Sequence, residues 1–475
     1  MHDEAVVIGG GVLGLAVAYE LVCAGTSVRS VYPAAGRDSA ASAAAGAMLG
    51  AFGEVTADDT AAEIVELEFR VAAQRMYPEW LDRVAASSGR AVPVDTGTFV
   101  IANNESEGDR PALRRIVAEA ARLAEPCEFV APEDVPGLRP APRCVPTQCV
   151  HLPNEHSVRS GDLLDALEGA LAASPLWRHD DVSVTRVLRA GERWRVTDDH
   201  GGHVEAPHVV LAAGVRSFEI LDEDVRREAV LPAMLLGKGI SGVVRGEFGV
   251  RSTIRTPNRA FACGTHVVPR GPGRLYIGAT NFVSTEEDAD ALPHPGELHS
   301  LLDDVIHQVN VDVRDGSLES LRVGFRPVPA HRRPVVGATP IRGLHVATGT
   351  YRNGVLMAPR VARIVAAGVR EEPALFANPF GTSPQVESDL DRLARIGVRD
   401  VVALMQEPRS SLPYNRGPEL TDYVTTLFRM IVSEDGSYDQ LRKHIVDELE
   451  RSPFSETMNR LFYRIAEESR TERAS

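Results

Sequence analysis

The sequence predicts an α/β fold followed by a helical C-terminal stretch, and three observations carry that prediction. A short apolar strand, Ala5 to Ile8, runs through Gly9-Gly10-Gly11-Val12-Leu13-Gly14 into an apolar helix over Leu15 to Leu21. Strand, hairpin and helix patterns then mix along the chain, as they do where a parallel α/β sheet is joined to an antiparallel one. Beyond Glu371-Glu372-Pro373 the apolar residues recur only at helical spacing. At 475 residues the chain is long enough for two or three domains.

Composition narrows the classes. An apolar fraction of 44% is ordinary for a globular protein. The net charge of −15, from 51 basic and 66 acidic residues, disfavours nucleic acid as a partner and gives no reason to expect membrane binding. No run of 18 apolar residues occurs and no basic, apolar leader precedes the first strand, so a cytoplasmic protein is expected. The five cysteines (Cys23, Cys127, Cys144, Cys149 and Cys263) lack CxxC spacing and have no histidine at zinc-site spacing, so reduced thiols and no metal are expected.

The first turn carries the sharpest chemical signal. Gly9 allows the tight turn, Gly11 lets the backbone approach a phosphate, and Gly14 lets helix and strand pack closely. Amides and dipole at the helix start then favour an anion, so the motif predicts a dinucleotide pyrophosphate there. The second strand, Ser27 to Tyr32, ends on Tyr32 where such units usually place an acid for a ribose hydroxyl. Arg37 or the Tyr32 hydroxyl is left to replace it. The small-residue tract Ser39 to Glu54 follows, with Met48, Leu49 and Phe52 embedded in it. It suits close approach to a large flat ligand better than a flexible linker does.

Together with two later motifs, Gly9 to Gly14 and Ser42 to Glu54 resemble the glycine oxidase and D-amino-acid oxidase family of FAD-dependent amine oxidases. The first later motif is Val267-Val268-Pro269-Arg270 with Gly273 to Thr280. The second is Gly324-Phe325-Arg326-Pro327 with Pro334 to Gly337 and Gly349 to Pro359. The strand Val209 to Gly214 is similar to the family's third cofactor-facing segment. The resemblance spans roughly residues 3 to 370. It implies a Rossmann-like FAD-binding domain (1–85, 150–217 and 318–372) interleaved with an antiparallel-sheet substrate domain (86–149 and 218–317).

The residues support this independently. Leu163 to Leu171 has helical apolar spacing, and Trp194 to Thr197 with Val204 to Ala206 around Gly201-Gly202 reads as a hairpin. Arg274 to Gly278 and Gly343 to Thr348 read as strands, and Val355 to Ala367 as a helix. After Pro373, three helical stripes follow: Leu420 to Ile431, Leu441 to Leu449, and Phe454 to Ile465 behind a Ser452-Pro453 start. Residues 380–475 therefore read as a helical extension that packs on the oxidase, dimerises or docks a protein partner.

Flavin amine oxidation asks for positioning more than side-chain acid–base chemistry, so a carboxylate clamp is the feature to seek. By its match to the family's GLRP motif, Arg326 is where the resemblance places the substrate carboxylate; the alternative is a structural ion-pair arginine. Arg352, Asn353 and Gly354, with Val355, open the last cofactor loop at a helix start, and Arg352 either lines the substrate pocket or is a solvated loop residue. His266 stands where the family pattern carries a substrate-contacting tyrosine. A histidine there titrates near neutral pH, or is a strand residue turned to solvent. An extra residue separates Met48 from Gly46 relative to the family, leaving either Ala47 or Met48 beside the flavin. The resemblance also assigns Ser42, Ala43, Ala44, Gly46, Val184, Ala213 and Gly214 to the cofactor. His331-Arg332-Arg333 replaces the family's Asp-Gly before a proline and adds positive charge. No cysteine falls near 349–359, so non-covalent FAD is implied.

The resulting expectation is FAD-dependent oxidation of a primary or secondary amine of an amino acid, or an N-substituted one, to the imine. The hydride goes to flavin N5, and O2 reoxidises the flavin to give hydrogen peroxide. A specialised-biosynthesis oxidase of a larger secondary amine or an N–N-bonded amino acid is one alternative, motivated by Tyr32, His266 and the extension. A non-catalytic flavoprotein or scaffold acting through its C-terminal helices is another, and an NAD dehydrogenase a third.

Overall fold

Every residue of Ala5–Ile8 is buried, because both faces of that strand are covered. The protein is described by a computed structural model over residues 3–35, 40–56, 61–104, 108–232, 234–258, 264–284, 292–329, 333–373 and 375–382. Ala5–Ile8 lies inside a six-stranded sheet ordered Val335–Ala338, Leu344–Thr348, His208–Leu211, Ala5–Ile8, Val28–Val31, Trp177–Asp180. All its pairings are parallel except that between Val335–Ala338 and Leu344–Thr348. Strands covered on both faces read as continuous apolar runs, which is why Ala5 to Ile8 shows no alternation.

Successive side chains of that strand go to different layers. Ala5 and Val7 join a core with Leu15, Leu21, Leu67, Trp80, Leu163, Leu167, Val361 and Val365, from the helices Val12–Cys23, Ala61–Ser88, Ser160–Ala172 and Gly354–Val369. Val6 and Ile8 face a second core with Val187, Trp194, Val196 and Ala206. Those belong to the three-stranded antiparallel sheet Val184–Ala190, Arg193–Asp198, His203–Ala206, whose last two strands are the expected hairpin. Each such fully buried Leu or Val contributes about 1.5–3 kcal/mol.

The second large sheet is mostly antiparallel. Its path runs Phe282–Ser284, Met234–Arg245, Arg274–Gly278, His266–Pro269, Thr253–Arg255, Thr98–Asn103, Pro146–Leu152, Glu128–Val130, and Ser317–Pro329 also pairs with Met234–Arg245. Thr253–Arg255 and Thr98–Asn103 run parallel. The helix Pro295–Gln308 packs over it through Leu301 and Val305. Two long strands, Met234–Arg245 and Ser317–Pro329, pair from Met234 opposite Pro329 to Arg245 opposite Ser317. Gly324 abuts the small-residue tract, since a Cβ there would lie 2.9 Å from the Ala44 Cβ. The antiparallel sheet is thereby seated against that tract.

Past helix Gly354–Val369 the described chain still belongs to this body. Phe380 is 1% exposed, meets Phe69 edge-on at 4.9 Å, and its carbonyl accepts from Val336 N at 2.9 Å. The expected helices at 420–465 lie outside the described residues, as do Arg37, Cys263, His331 and Arg332. No helix among the described residues is long and apolar enough to cross a membrane.

Candidate active site

The Gly9 to Gly14 turn is built as its spacing demands. Gly9 has φ +119°, a conformation that side chains oppose, and a Cβ there would lie 2.3 Å from the Ala212 carbonyl. A Cβ on Gly14 would lie 2.0 Å from the Gly9 carbonyl, so any side chain would push helix Val12–Cys23 off the strand. Ser42 Oγ accepts from Val12 N at 3.0 Å, tying the small-residue tract to the first turn of that helix.

Beside this turn lies a cavity of about 760 Å³. Gly9, Gly11, Tyr32, Ser42 and Ala44 line it, as do Val184, Ala213 and Gly214 from the other strands. Arg326, Arg352, Gly354 and Val355 complete the expected residues on its wall. The starts of two helices, Val12–Cys23 and Gly354–Val369, thus meet one cavity, and neither carries an acid in its first turn. Both favour negatively charged groups there.

The two arginines on the wall have different surroundings. Arg326 Nη1 donates to Thr280 O at 3.1 Å and to Asn281 Oδ1 at 3.0 Å, both neutral acceptors. No carboxylate pairs with it among the described residues. It crosses over Gly239, where a Cβ would lie 2.3 Å from Nη1. Arg352 pairs with Glu54 at 3.2 Å, donates to Tyr351 Oη at 2.9 Å and lies 4.4 Å from the Tyr351 ring centroid. Burial pushes the Glu54 carboxyl up, but Arg352, Arg255 and Arg70 outweigh that and hold it below its usual range. Arg352 therefore has its counter-charge within the protein.

The profile of the family described as FAD dependent oxidoreductase (DAO) matches residues 4–367. The chain belongs to the FAD dependent oxidoreductase family. This oxidoreductase is 28% identical over 389 residues to the glycine oxidase of Geobacillus kaustophilus, covering 81% of this chain and 97% of that one. It is also 28% identical to the bifunctional protein ThiO/ThiG of Trichormus variabilis, over 78% of this chain but only 53% of that one. Among solved structures, Geobacillus kaustophilus glycine oxidase matches with TM-score 0.70 at 24% identity, over 81% of this chain and 100% of that chain. Iminodiacetate oxidase from Chelativorans sp. BNC1 matches with TM-score 0.66 at 18% identity, over 80% and 100%. At these identities the structural likenesses show the fold.

The oxidoreductase uses FAD, and the residues present fit it. The cavity volume lies within the range of cofactor sites, Gly9, Gly10 and Gly11 are part of its lining, and the first helix packs on Gly9 without a side chain between them. Gly9, Gly11, Ser42 and the start of Val12–Cys23 would hold the pyrophosphate, and Ala44, Gly354 and Val355 would border the ring system.

Other expected residues lie off the cavity wall. Gly14 is a packing residue in the first turn of the helix, as its spacing predicted. The Ala43 carbonyl accepts from Arg322 at 3.2 Å, and the Gly46 carbonyl accepts from Arg270 at 2.8 Å. Asn353 precedes helix Gly354–Val369 and donates to Glu66 at 3.4 Å. Met48 sits in the short strand Met48–Leu49 opposite Ser157, and Ala47, at φ +49°, is buried beside it.

His266 differs from both expectations. It is 4% exposed, so it is not turned to solvent. Its Nδ1 donates to Gly264 O at 2.8 Å, and its ring stacks on Tyr276 at 5.8 Å. Burial above all, with Arg255 and Arg326 adding to it against the Gly264 bond, pushes its pKa down to about 3. It is a neutral imidazole at physiological pH and does not titrate there.

Several residues of the site were not singled out in the sequence. Glu54 was visible only as the end of the small-residue tract. Asn281, Tyr351 and Gly239 come from three separate strands or loops. Arg255 packs over Gly53, donates to Gly53 O at 2.9 Å and Asn258 Oδ1 at 2.7 Å, and helps hold the Glu54 carboxyl ionised. Glycines at 237 and 239 inside an apolar strand were the one available hint that something large crosses there.

Proposed function

We propose that this oxidoreductase oxidises a primary or secondary amine, carried by an amino acid or an N-substituted amino acid, to the imine. FAD, when bound, would supply the two-electron acceptor chemistry for the Cα hydride, with O2 as the final oxidant and hydrogen peroxide as the product. The protein's own task is to bind and orient. Arg326 would grip the substrate carboxylate with two parallel N–H donors, which fixes the adjacent Cα in distance and angle. Arg352, already neutralised by Glu54, would border the pocket without demanding a second acid group. His266, buried off the cavity wall with its proton on Nδ1 and its ring on Tyr276, would bring no positive charge to the pocket. No side-chain base is needed if the amine enters deprotonated. No cysteine or histidine lines the described cavity, which supports non-covalent FAD.

One observation carries the reading: a guanidinium on the cavity wall whose partners are all neutral oxygens. The test is anaerobic bleaching of the purified flavoprotein against a panel of amines and amino acids. Carboxylate-bearing amines should bleach it, and Arg326→Ala should slow that step about 100-fold while retaining flavin. Equal bleaching rates in wild type and variant would remove the clamp, and no bleaching by any amine would favour a scaffold.

A further inference from the structure

The second parallel strand, Val28–Val31, is followed by Tyr32, where dinucleotide folds commonly hold the acid that binds an adenosine ribose hydroxyl. Tyr32 lines the cavity and is only 5% exposed. Three contacts fix its ring. One edge rests on Gly10, where a Cβ would lie 2.3 Å from Cδ2. The ring stacks on His179 at 4.1 Å, and His179 Nε2 in turn donates to the Tyr32 carbonyl at 2.9 Å. Finally, the hydroxyl donates to Glu168 Oε1 at 2.6 Å, from helix Ser160–Ala172. Trp177 extends the stack, lying 5.9 Å from His179 and held by its Nε1 bond to Ser30 Oγ at 2.9 Å.

A phenol that gives its proton to a carboxylate becomes a stronger acceptor, and its oxygen keeps lone-pair capacity for a second bond. The carboxylate usually found at the strand end has thus been set back by one aromatic ring. We propose that Tyr32 and Glu168 act together as the ribose-binding acid: Glu168 polarises the Tyr32 oxygen, which accepts a hydrogen bond from an adenosine ribose hydroxyl of FAD. Tyr32 is the contacting group and Glu168 the positioning residue behind it. The proposal rests on FAD as the cofactor and not on the choice of amine substrate.

The test is binding, measured on apo-protein by titration with FAD, ADP and FMN and read by flavin fluorescence or calorimetry. ADP carries the adenosine ribose without the flavin, and FMN carries the flavin without the adenosine. Tyr32→Phe should weaken FAD and ADP about tenfold and leave FMN unchanged. Glu168→Gln should weaken FAD and ADP several-fold. The double variant should bind no more weakly than Tyr32→Phe alone, because the proposal routes the effect of Glu168 on the ribose through the phenol. Unchanged FAD affinity in Tyr32→Phe overturns the proposal. So do additive losses in the double variant, which make Glu168 an independent contact. Equal losses of FAD and FMN with a lowered melting temperature also overturn it, by assigning the pair a purely structural role. Wild-type protein that binds neither flavin overturns the cofactor assignment itself, a result separable from all of these.

Discussion

Gly239→Ala tests the clamp without touching it. A Cβ at 239 would lie 2.3 Å from Arg326 Nη1, 2.4 Å from Nη2 and 2.6 Å from Cζ. Ordinary contact begins near 3.4 Å, so the guanidinium must retreat by about 1.1 Å (3.4 − 2.3). That retreat moves Nη1 away from where it now bonds Thr280 O at 3.1 Å and Asn281 Oδ1 at 3.0 Å. Gly239 is not among the glycines with positive φ, so alanine is tolerated by the backbone. The obstructing atoms end a flexible side chain, and the stability loss should stay within about 1 kcal/mol. Misplacing a substrate clamp by about 1 Å costs on the order of 100-fold in rate. The expected variant therefore keeps its flavin and melting temperature but loses roughly 100-fold in kcat/KM for a carboxylate-bearing amine. Steady-state peroxide release, the flavin absorbance ratio and a thermal melt measure the three quantities. Undiminished kcat/KM with flavin bound would show that Arg326 does not grip the substrate.

Two buried groups make opposite pH predictions. His266 has a folded pKa of about 3 against 6.5 when exposed, so the unfolded chain takes up a proton that the folded chain refuses. Stability is complete above pH 6.5 and is lost as pH falls towards 3, by up to about 1.4 kcal/mol per unit. Melting temperatures from pH 7.5 to 4.5 should fall less steeply in His266→Phe, and parallel curves would refute the burial argument. Glu155 is 1% exposed, accepts from Phe52 N at 2.7 Å through Oε1, and leaves Oε2 without a partner among the described residues. Burial, opposed by the Phe52 bond and by Arg255 and Arg70, pushes its pKa up to about 7. Its contribution is full below pH 4.5 and lost as pH rises through 7. Glu155→Gln should therefore match wild type near pH 4.5 and melt higher at pH 8; a lower melting temperature at pH 8 would count against it.

What could be read from the sequence was local. Gly9, Gly11 and Gly14 are legible because a turn and a helix contact impose their spacing within six residues, and the hairpin at 193–206 is legible for the same reason. Arg326 and Arg352 are legible as residue types next to turn-forming neighbours, yet sequence treats them alike. They are separated by what long-range pairing brings to each. Glu54, 298 positions away, neutralises Arg352, whereas among the described residues only carbonyl and amide oxygens reach Arg326. His266 shows the same limit from the other side. All four residues of His266–Pro269 are buried, so the strand carries no alternation from which to infer which face the histidine takes. Tyr32 looked like a lost acid because Glu168, which bonds its hydroxyl, lies 136 positions away. In each case the identity of a site residue was visible while its charge state or partner was not. Those are set by the burial and pairing of distant segments, and they decide whether an arginine can receive a substrate.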